Sequence, residues 1–348
     1  MKRIRKNDID LNEQIKRHAN TPVKNKKKYD GSTDVVVSTG STLLDLAISG
    51  GRIRGGGIPL GILVEIFGPA SAGKTVLLCE IAGDIQRKEG NVMFHDPEAR
   101  LNKQFAQMFD VNFELVDYTT PDTVTEVFQS VRGWEPKGKI VNGIFADSLA
   151  ALSTDLEMEN KEGDKMGMRR AKEFSEELRK TCRTLAKNNW LMVCSNQVRV
   201  NMDGYGQKYT TPGGLGVGFY SSLRLRAGNP EKIWVKQTIA GKETKRCIGV
   251  ETQVEVFKSS IWKPFHTAPV IVIFDYGVDS IRANLQYIKD FTKNTQYTVN
   301  GRVLANSMEK AIKIVESEGL EDELKNQTIN LWEEIEKKFE SERKPKQR

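Results

Sequence analysis

Short apolar segments alternate along this chain with longer segments whose apolar residues recur with helical spacing. The apolar segments are Ile62–Phe67, Val92–Phe94, Ile144–Ala146 and Leu191–Ser195. The amphipathic segments are Thr75–Arg87, Pro121–Arg132 and Ala171–Lys187. Buried parallel strands form continuous apolar runs, and the helices that cover them are amphipathic. The pattern predicts an α/β fold in which a mostly parallel, twisted sheet is flanked by helices.

The second half of the chain has a different pattern. A polar, glycine-rich stretch over Asn201–Gly218 is followed by strand-like segments at Ser222–Arg226, Thr252–Phe257 and Val270–Phe274. Few amphipathic helices separate these segments, so the sheet is expected to gain antiparallel strands at one edge.

Both ends of the chain differ from its centre. Residues 8–19 can form a short helix, and a lysine-rich stretch follows it. Beyond Arg282 the sequence becomes charged and helical, with helices expected over Ala305–Ser317 and Ile329–Glu342. We therefore predict a basic N-terminal arm over 1–33, a core over 34–281, and a small C-terminal domain with a basic tail over 282–348.

Composition narrows the class of protein. The 348 residues are 38% hydrophobic and 28% charged, and no segment has the length and apolarity of a membrane span or signal peptide. The four cysteines are scattered, which predicts neither a disulfide framework nor a zinc site, and a cytoplasmic location is expected. The net charge is +7, and residues 1–30 hold ten Lys or Arg against four acids. Such an arm can bind phosphates, although terminal charge runs are often only solvated tails.

One motif carries specific chemistry. Eight consecutive residues match GxxxxGK[ST] between an apolar strand and an amphipathic helix, namely Gly68, Pro69, Ala70, Ser71, Ala72, Gly73, Lys74 and Thr75. In this motif, backbone N–H groups surround phosphate oxygens, Lys74 reaches the outer phosphates and Thr75 ligates Mg²⁺. The alternative is a glycine-rich turn without a ligand. The motif predicts binding of ATP and Mg²⁺.

Carboxylates near the expected phosphate loop extend this site. Asp147 ends the apolar segment Ile144–Ala146, so it is the candidate second metal ligand; a lone Asp in this position is otherwise a turn former or helix cap. Glu98 follows the strand after the first helix and is the candidate group that activates water, with Asp96 as its competitor by spacing. His95 belongs to no histidine cluster, which favours a structural role.

Several short blocks together resemble a known family. They are Val37–Gly40 with Leu44–Asp45, Val64–Pro69 before the phosphate loop, Asp96 with Glu98, Asp147–Leu152, Asn196–Arg199, Gly213–Gly214 and Phe219–Arg224. In order and spacing, over roughly residues 35–280, they resemble the bacterial RecA recombinases.

The resemblance implies roles for further residues. Glu98 would activate water, Gln197 would sense the γ-phosphate, and Lys258 would reach a neighbouring protomer's nucleotide. Phe105 and Tyr276 would lie near adenine. The first DNA-binding loop would span Asp155–Arg170 and the second Arg199–Gly214, with DNA contacts at Met166, Gly167, Arg169, Arg199, Met202, Gly213 and Gly214.

The chain also departs from the family pattern. Ser260 stands where many members have a second lysine that reaches across the protomer interface, and Lys263 is a candidate substitute. The basic C-terminal end replaces the family's acidic tail, and the Gly50–Gly57 insertion has no evident role from sequence.

Together with the phosphate loop, the resemblance implies a DNA-dependent ATPase that acts in DNA recombination and repair. It would polymerise as a helical filament on single-stranded DNA, pair that strand with homologous duplex DNA and exchange strands, without a membrane partner. Two alternatives remain open at this level: a ring-forming motor such as a helicase, and a DNA-binding mediator that does not hydrolyse ATP.

Overall fold

A computed structural model describes residues 35–138, 141–153, 166–200, 209–210, 214–341 and 343. The α-helices are α1 (Thr42–Ser49), α2 (Lys74–Arg87), α3 (Lys103–Gln107), α4 (Val124–Gly133), α5 (Met166–Asn188), α6 (Gly214–Tyr220), α7 (Ser280–Thr292), α8 (Met308–Glu318) and α9 (Glu321–Lys337). Short 3-10 helices span Phe113–Leu115 and Leu149–Ala151. The helix expected over residues 8–19 lies outside the described residues.

The strands follow in the same chain order. They are β1 (Val36–Val37), β2 (Ile58–Pro59), β3 (Leu63–Gly68), β4 (Asn91–His95), β5 (Val116–Thr119), β6 (Asn142–Ala146), β7 (Leu191–Gln197), β8 (Arg199–Val200), β9 (Tyr209–Thr210), β10 (Leu223–Ala227), β11 (Glu231–Ile239), β12 (Lys242–Ser259), β13 (Thr267–Ile273), β14 (Gly277–Val278), β15 (Tyr297–Val299) and β16 (Arg302–Ala305).

Within the described residues, ten strands form one sheet in the order β14-β13-β12-β10-β3-β7-β6-β4-β5, with β11 paired to β12. Strands β10, β3, β7, β6, β4 and β5 are mutually parallel, whereas β12, β13 and β14 continue the sheet in antiparallel pairs. This arrangement confirms the predicted α/β fold with antiparallel edge strands. The carboxyl ends of β3, β6 and β7 meet at one edge, where α/β proteins bind ligands.

Apolar side chains cover both faces of the sheet. Strand β3 alternates between the two layers: Val64 and Ile66 belong to the cluster that contains α2, and Leu63 to the cluster that contains α4 and α5. Helix α4 begins with a reciprocal capping box between Thr123 and Glu126, which satisfies backbone N–H groups at its first turn. These two layers hold the carboxyl edge of the sheet in place.

Two expected segments have different bounds in the structure. The strand expected at Thr252–Phe257 is part of the longer β12, whose partner β11 was not predicted. Their added residues are mostly exposed and polar, so they give no apolar pattern. The last helix begins at Glu321, not Ile329, and ends at Lys337. Its first turn consists of acidic residues, which stabilise a helix N-terminus through the helix dipole. These residues are polar, so the apolar pattern did not reveal the start of the helix.

The C-terminal elements have an apolar cluster of their own, which includes Leu285, Tyr297 and Leu324. They also pack on the core, because Ile329 and Trp332 of α9 form a small cluster with Leu46 of α1. Among the described helices, none has a stretch long and apolar enough to cross a lipid bilayer.

The Gly50–Gly57 insertion now has a structural explanation. A Cβ atom at Gly51 would lie 2.1 Å from the indole ring of Trp262, so only glycine fits beneath that ring. Arg54, in the same insertion, pairs with Glu333 of α9 at 3.1 Å. At Gly51 the backbone of the insertion therefore packs closely against Trp262, and Arg54 connects the insertion to the C-terminal helix α9.

Candidate functional site

The phosphate-loop sequence lies between β3 and α2 at the carboxyl edge of the sheet. Gly73 has φ of +82° immediately before α2, and Ser71 also has positive φ, at +61°. A Cβ atom at Gly68 would come within 2.5 Å of the carbonyl oxygen of Ala227 on β10. Glycine is thus required for the turn at residue 73 and for close strand contact at residue 68. The loop presents the N-terminus of a 14-residue helix to a ligand.

Lys74 lies across the mouth of this loop. Its Nζ donates hydrogen bonds to the carbonyl oxygens of Gly68 and Pro69, at 3.1 and 2.6 Å. Burial lowers the pKa of Lys74, and the nearby Asp147 carboxylate opposes that shift. The ammonium group therefore lies at the phosphate loop, where it is bonded to two of the loop's carbonyl oxygens.

Asp147 directly follows β6, and its carboxylate accepts hydrogen bonds from Thr75, at the end of the phosphate loop, and from Ser195 on β7. The Thr75 hydroxyl donates to Asp147 Oδ2 at 2.5 Å, and the Ser195 hydroxyl donates to Oδ1 of the same carboxylate. Mg²⁺ prefers oxygen ligands and is commonly bound through one or two carboxylates together with substrate phosphates and water. Thr75 and Asp147 fit such a site. No group of three or more His, Cys, Asp or Glu side chains in the described part of the chain is arranged as a separate metal site.

The two acids after β4 have different surroundings. Asp96 is buried, and its Oδ2 accepts hydrogen bonds from the Leu101 amide at 2.7 Å and the Tyr118 hydroxyl at 3.0 Å. Burial and the contact with Asp96 raise the pKa of Tyr118 to about 12. Glu98 is partly exposed and pairs with Arg100 at 2.9 Å. Asp96 is thus committed to holding the loop, whereas the carboxylate of Glu98 is partly exposed beside Arg100.

Gln197 is the exposed last residue of β7, and a buried network lies behind it. The preceding Asn196 accepts a hydrogen bond from the Gln197 amide at 3.0 Å and donates to Glu65 Oε1 at 2.9 Å. Glu65 Oε2 accepts from Arg224 Nε at 2.6 Å. Arg224 also lies over the Phe67 ring, 4.5 Å from its centre. Gln197 is therefore held by a network that spans β7, β3 and β10.

Lys258 lies opposite Arg224 in the pairing of β12 with β10. Its Nζ donates to the carbonyl oxygens of Gly218 and Phe219 at the end of α6, at 2.9 and 2.8 Å. Burial lowers its pKa, and the adjacent Arg224 adds to that shift. The side chain of Phe219 beside it is 75% exposed. Lys258 is thus at a surface with an exposed aromatic ring.

Lys263 has a different environment from Lys258. Its Nζ is 3.6 Å from Glu336 of α9 and 5.1 Å from the centre of the Trp262 ring. The backbone amide of Ser260 donates to Ser222 at 2.8 Å. Within one chain, therefore, Lys263 is directed to the C-terminal helix.

Phe105 contacts Phe109, which lies beside the residue that follows Tyr276. Phe105 makes an edge contact with Phe109, with ring centres 5.0 Å apart. A Cβ atom at Gly277, next to Tyr276, would lie 3.2 Å from the Phe109 ring. Tyr276 is half-exposed, and its partial burial raises its pKa. The structure thus brings the start of β14 close to Phe109, just after α3.

The candidate DNA contacts are only partly described. Met202 and Gly213 lie outside the described residues. The backbone positions of the others are described. The first turn of α5 contains Met166, Gly167 and Arg169. Arg199 of β8 pairs with Thr210 of β9, and Gly214 is the first residue of α6.

Four residues of the hydrogen-bond networks at Asp147 and Gln197 had no individual role predicted from the sequence, namely Ser195, Asn196, Glu65 and Arg224. A signal was present for Glu65, because a single acid in the apolar run Leu63–Phe67 predicts a buried partner. Nothing local indicated which cation would pair with it. The pairing depends on β10 lying beside β3.

Comparison with known proteins identifies the family. Residues 10–279 match the family described as the RecA N-terminal domain. The chain belongs to the RecA family of recombinases. Protein RecA of Delftia acidovorans is 32% identical over 299 residues, which cover 84% of this chain and 77% of that protein. Protein RecA of Thermus thermophilus is 37% identical over 250 residues, 71% of this chain and 69% of that protein.

One solved structure is also similar. The crystal structure of the RadB recombinase matches with 18% identity and a TM-score of 0.49, covering 70% of this chain and 98% of that chain. The match to the RecA N-terminal domain covers the phosphate loop, Asp147 and Gln197.

Proposed function

We propose that this RecA-family protein is a DNA-dependent ATPase that forms helical filaments on single-stranded DNA and exchanges strands with a homologous duplex in the cytoplasm. The contact between Thr75 and Asp147 beside the phosphate loop carries the proposal. It places a hydroxyl and a carboxylate at the N-terminus of α2, as a Mg²⁺–nucleotide site requires.

The roles of individual residues follow from this site. Thr75 and Asp147 would hold Mg²⁺, which would supply charge neutralisation for the phosphates, and Lys74 would bind outer phosphate oxygens. Glu98 orients or deprotonates water, since its carboxylate is partly exposed and Asp96 is not free for that role. Phe105 and Tyr276 flank the base.

DNA binding is assigned to the segments that begin α5 and follow β7. Gln197 lies between the sheet edge and the second segment, so the nucleotide's γ-phosphate and the DNA would act on the same strand end. Lys258, at the surface beside exposed Phe219, would reach the nucleotide of the next protomer in the filament. ATP binding would then stabilise the filament, and hydrolysis would release it.

We propose the same organisation of the chain as the sequence predicts. Residues 1–33 act as a basic arm that contacts the neighbouring protomer, 34–281 as the ATPase and DNA-binding core, and 282–348 as a small C-terminal domain. Limited proteolysis followed by mass spectrometry tests the second boundary. Because residue 282 lies within α7, cleavage is expected on either side of this helix, before Ser280 or after Thr292, if the last part folds separately.

Steady-state ATP hydrolysis with and without single-stranded DNA tests the activity. We expect DNA to raise the rate, and Glu98→Gln to lower the stimulated rate about 100-fold while nucleotide binding persists. The matched control is Glu135→Gln, an exposed acid away from the loop, which is expected to keep the parent rate.

Electron microscopy with a non-hydrolysable ATP analogue tests the assembly. Helical filaments on single-stranded DNA that disappear in Lys74→Ala are expected. Closed rings would instead identify a ring-forming motor. DNA binding without any hydrolysis, in parent and Glu98→Gln alike, would identify a recombination mediator.

A further inference from the structure

The hairpin of β11 and β12 extends beyond the main sheet. Strand β12 pairs with β13 over Gly249–Glu255 and with β10 from Val254 onward. Among the described residues, the strand ladder of Lys242–Cys247 is therefore formed with β11 alone. We call Val235–Cys247 the basic ribbon. A two-residue turn closes it at Ala240–Gly241, where both residues have positive φ.

The basic ribbon carries four cations and one acid, a net charge of +3, while the charge of the whole chain is +7. Lys236 and Lys245 lie directly opposite each other across the two strands. Like charges at such positions destabilise a strand pair. Lys236 has an ion-pair partner in Glu243 at 2.9 Å, whereas Lys245 lies 4.5 Å above the Trp234 ring.

The remaining cations point to the opposite face. Side chains alternate along a strand, so Lys242 and Arg246 share the face opposite to that of Lys236 and Lys245. In the part of the chain that the structure describes, no carboxylate lies within ion-pair distance of Lys242, Lys245 or Arg246. Positive charge is thus presented on both faces of the ribbon.

Packing within the chain does not account for this ribbon. Its strand residues are exposed or half-buried, and Ile239 at its tip is 59% exposed. An isolated two-stranded hairpin is only marginally stable in water, and repulsion between its cations lowers its stability further. An external polyanion would relieve that repulsion.

We propose that the basic ribbon binds the phosphate backbone of duplex DNA; this inference rests on the proposed function. A two-stranded ribbon fits the major groove of B-DNA, which is about 12 Å wide, and a groove offers phosphates on both of its walls. Cations on both faces match that arrangement. A surface for single strands would need a series of exposed rings for base stacking, and here one ring, Trp234, lies beneath Lys245.

The test compares two triple variants of the full chain. Lys242→Gln, Lys245→Gln and Arg246→Gln together remove three ribbon charges, and Lys137→Gln, Arg183→Gln and Lys187→Gln remove three exposed charges elsewhere. Fluorescence anisotropy with a labelled duplex oligonucleotide is measured against salt concentration. The ribbon variant is expected to bind duplex at least about tenfold more weakly, with a salt slope reduced by about three, and the control to bind like the parent.

Further measurements distinguish a failure of the ribbon proposal from a failure of the proposed function. Both triple variants should retain the parent's ATPase rate with single-stranded DNA, which shows that they fold and that the proposed activity holds. Equal duplex binding by parent and ribbon variant would overturn the ribbon's role while leaving that activity intact. An equal loss of duplex and single-strand affinity would overturn the duplex assignment. Absence of DNA-stimulated ATPase in the parent would contradict the proposed function itself.

Discussion

Asn196 donates a hydrogen bond to Glu65 across two adjacent strands, at 2.9 Å, and both side chains are fully buried. Through its other side-chain atom, Asn196 accepts from the backbone of Gln197, and Glu65 is paired with Arg224. The candidate γ-phosphate sensor is therefore attached to a buried ion pair at the centre of the sheet.

The ion pair between Glu65 and Arg224 is expected to matter strongly for stability. Glu65→Gln leaves the Arg224 guanidinium, which is 14% exposed, without its carboxylate. Breaking one side of a buried pair costs about 3 kcal/mol or more. The control, Glu255→Gln, removes the partner of the more exposed Arg226 and is expected to cost under about 1 kcal/mol. Urea unfolding of both variants measures the difference, and equal losses would show that burial is not decisive.

Lys258 and Lys263 are expected to contribute unequally to hydrolysis. Lys258→Ala should lower the DNA-stimulated ATPase rate about 100-fold, because one positively charged group at the transferring phosphate is commonly worth that much. Lys263→Ala should stay within about twofold of the parent, since its ammonium is directed to Glu336 of its own chain. Steady-state assays on filaments compare the two. A large loss in Lys263→Ala alone would mean that Lys263 replaces the missing lysine at Ser260.

His95 is expected to make stability depend on pH. Burial lowers the pKa of His95 to about 4, whereas an unfolded histidine titrates near 6.5. The unfolded state therefore binds more protons between these values, and stability falls as the pH falls from about 6.5 to 4. The loss amounts to about 3 kcal/mol over that range.

The variant His95→Asn isolates this effect. It keeps a polar atom for Thr119, which lies 2.6 Å from His95 Nδ1, and removes the titrating ring. The free energy of unfolding is measured in urea at several pH values for parent and variant. The parent is expected to lose more stability than the variant on acidification, and parallel profiles would contradict the assignment.

Gly51 is expected to tolerate no side chain. Gly51→Ala would place a Cβ atom 2.1 Å from the Trp262 ring, and overpacking of this kind costs roughly 1–3 kcal/mol. The matched control is Gly133→Ala at the end of α4, where a Cβ atom meets nothing within 4 Å. That change is expected to be neutral or slightly stabilising. Thermal unfolding distinguishes the two variants, and equal melting temperatures would contradict the close packing of the insertion beneath Trp262.

Much of the fold and site was predictable because its signals are local. Apolar runs and helical spacing gave most of the central elements, and Gly68–Thr75 indicated the phosphate loop without any knowledge of distant contacts. Strands β11 and the first part of β12 were missed because exposed strands lack an apolar alternation. The pairing of Asp147 with Thr75 required the assumption that β6 and β3 end at one edge of the sheet.

Tertiary structure alone decided the partners of individual charges. The sequence placed Glu65 in an apolar strand, but strand order selected its partner Arg224. Lys258 and Lys263 are close in sequence, yet one donates to the end of α6 and the other faces α9. Asp96 and Glu98 are separated by a single residue, and only burial distinguishes them. Local sequence determines which elements form, whereas the packing of distant elements determines which side chains are desolvated and paired.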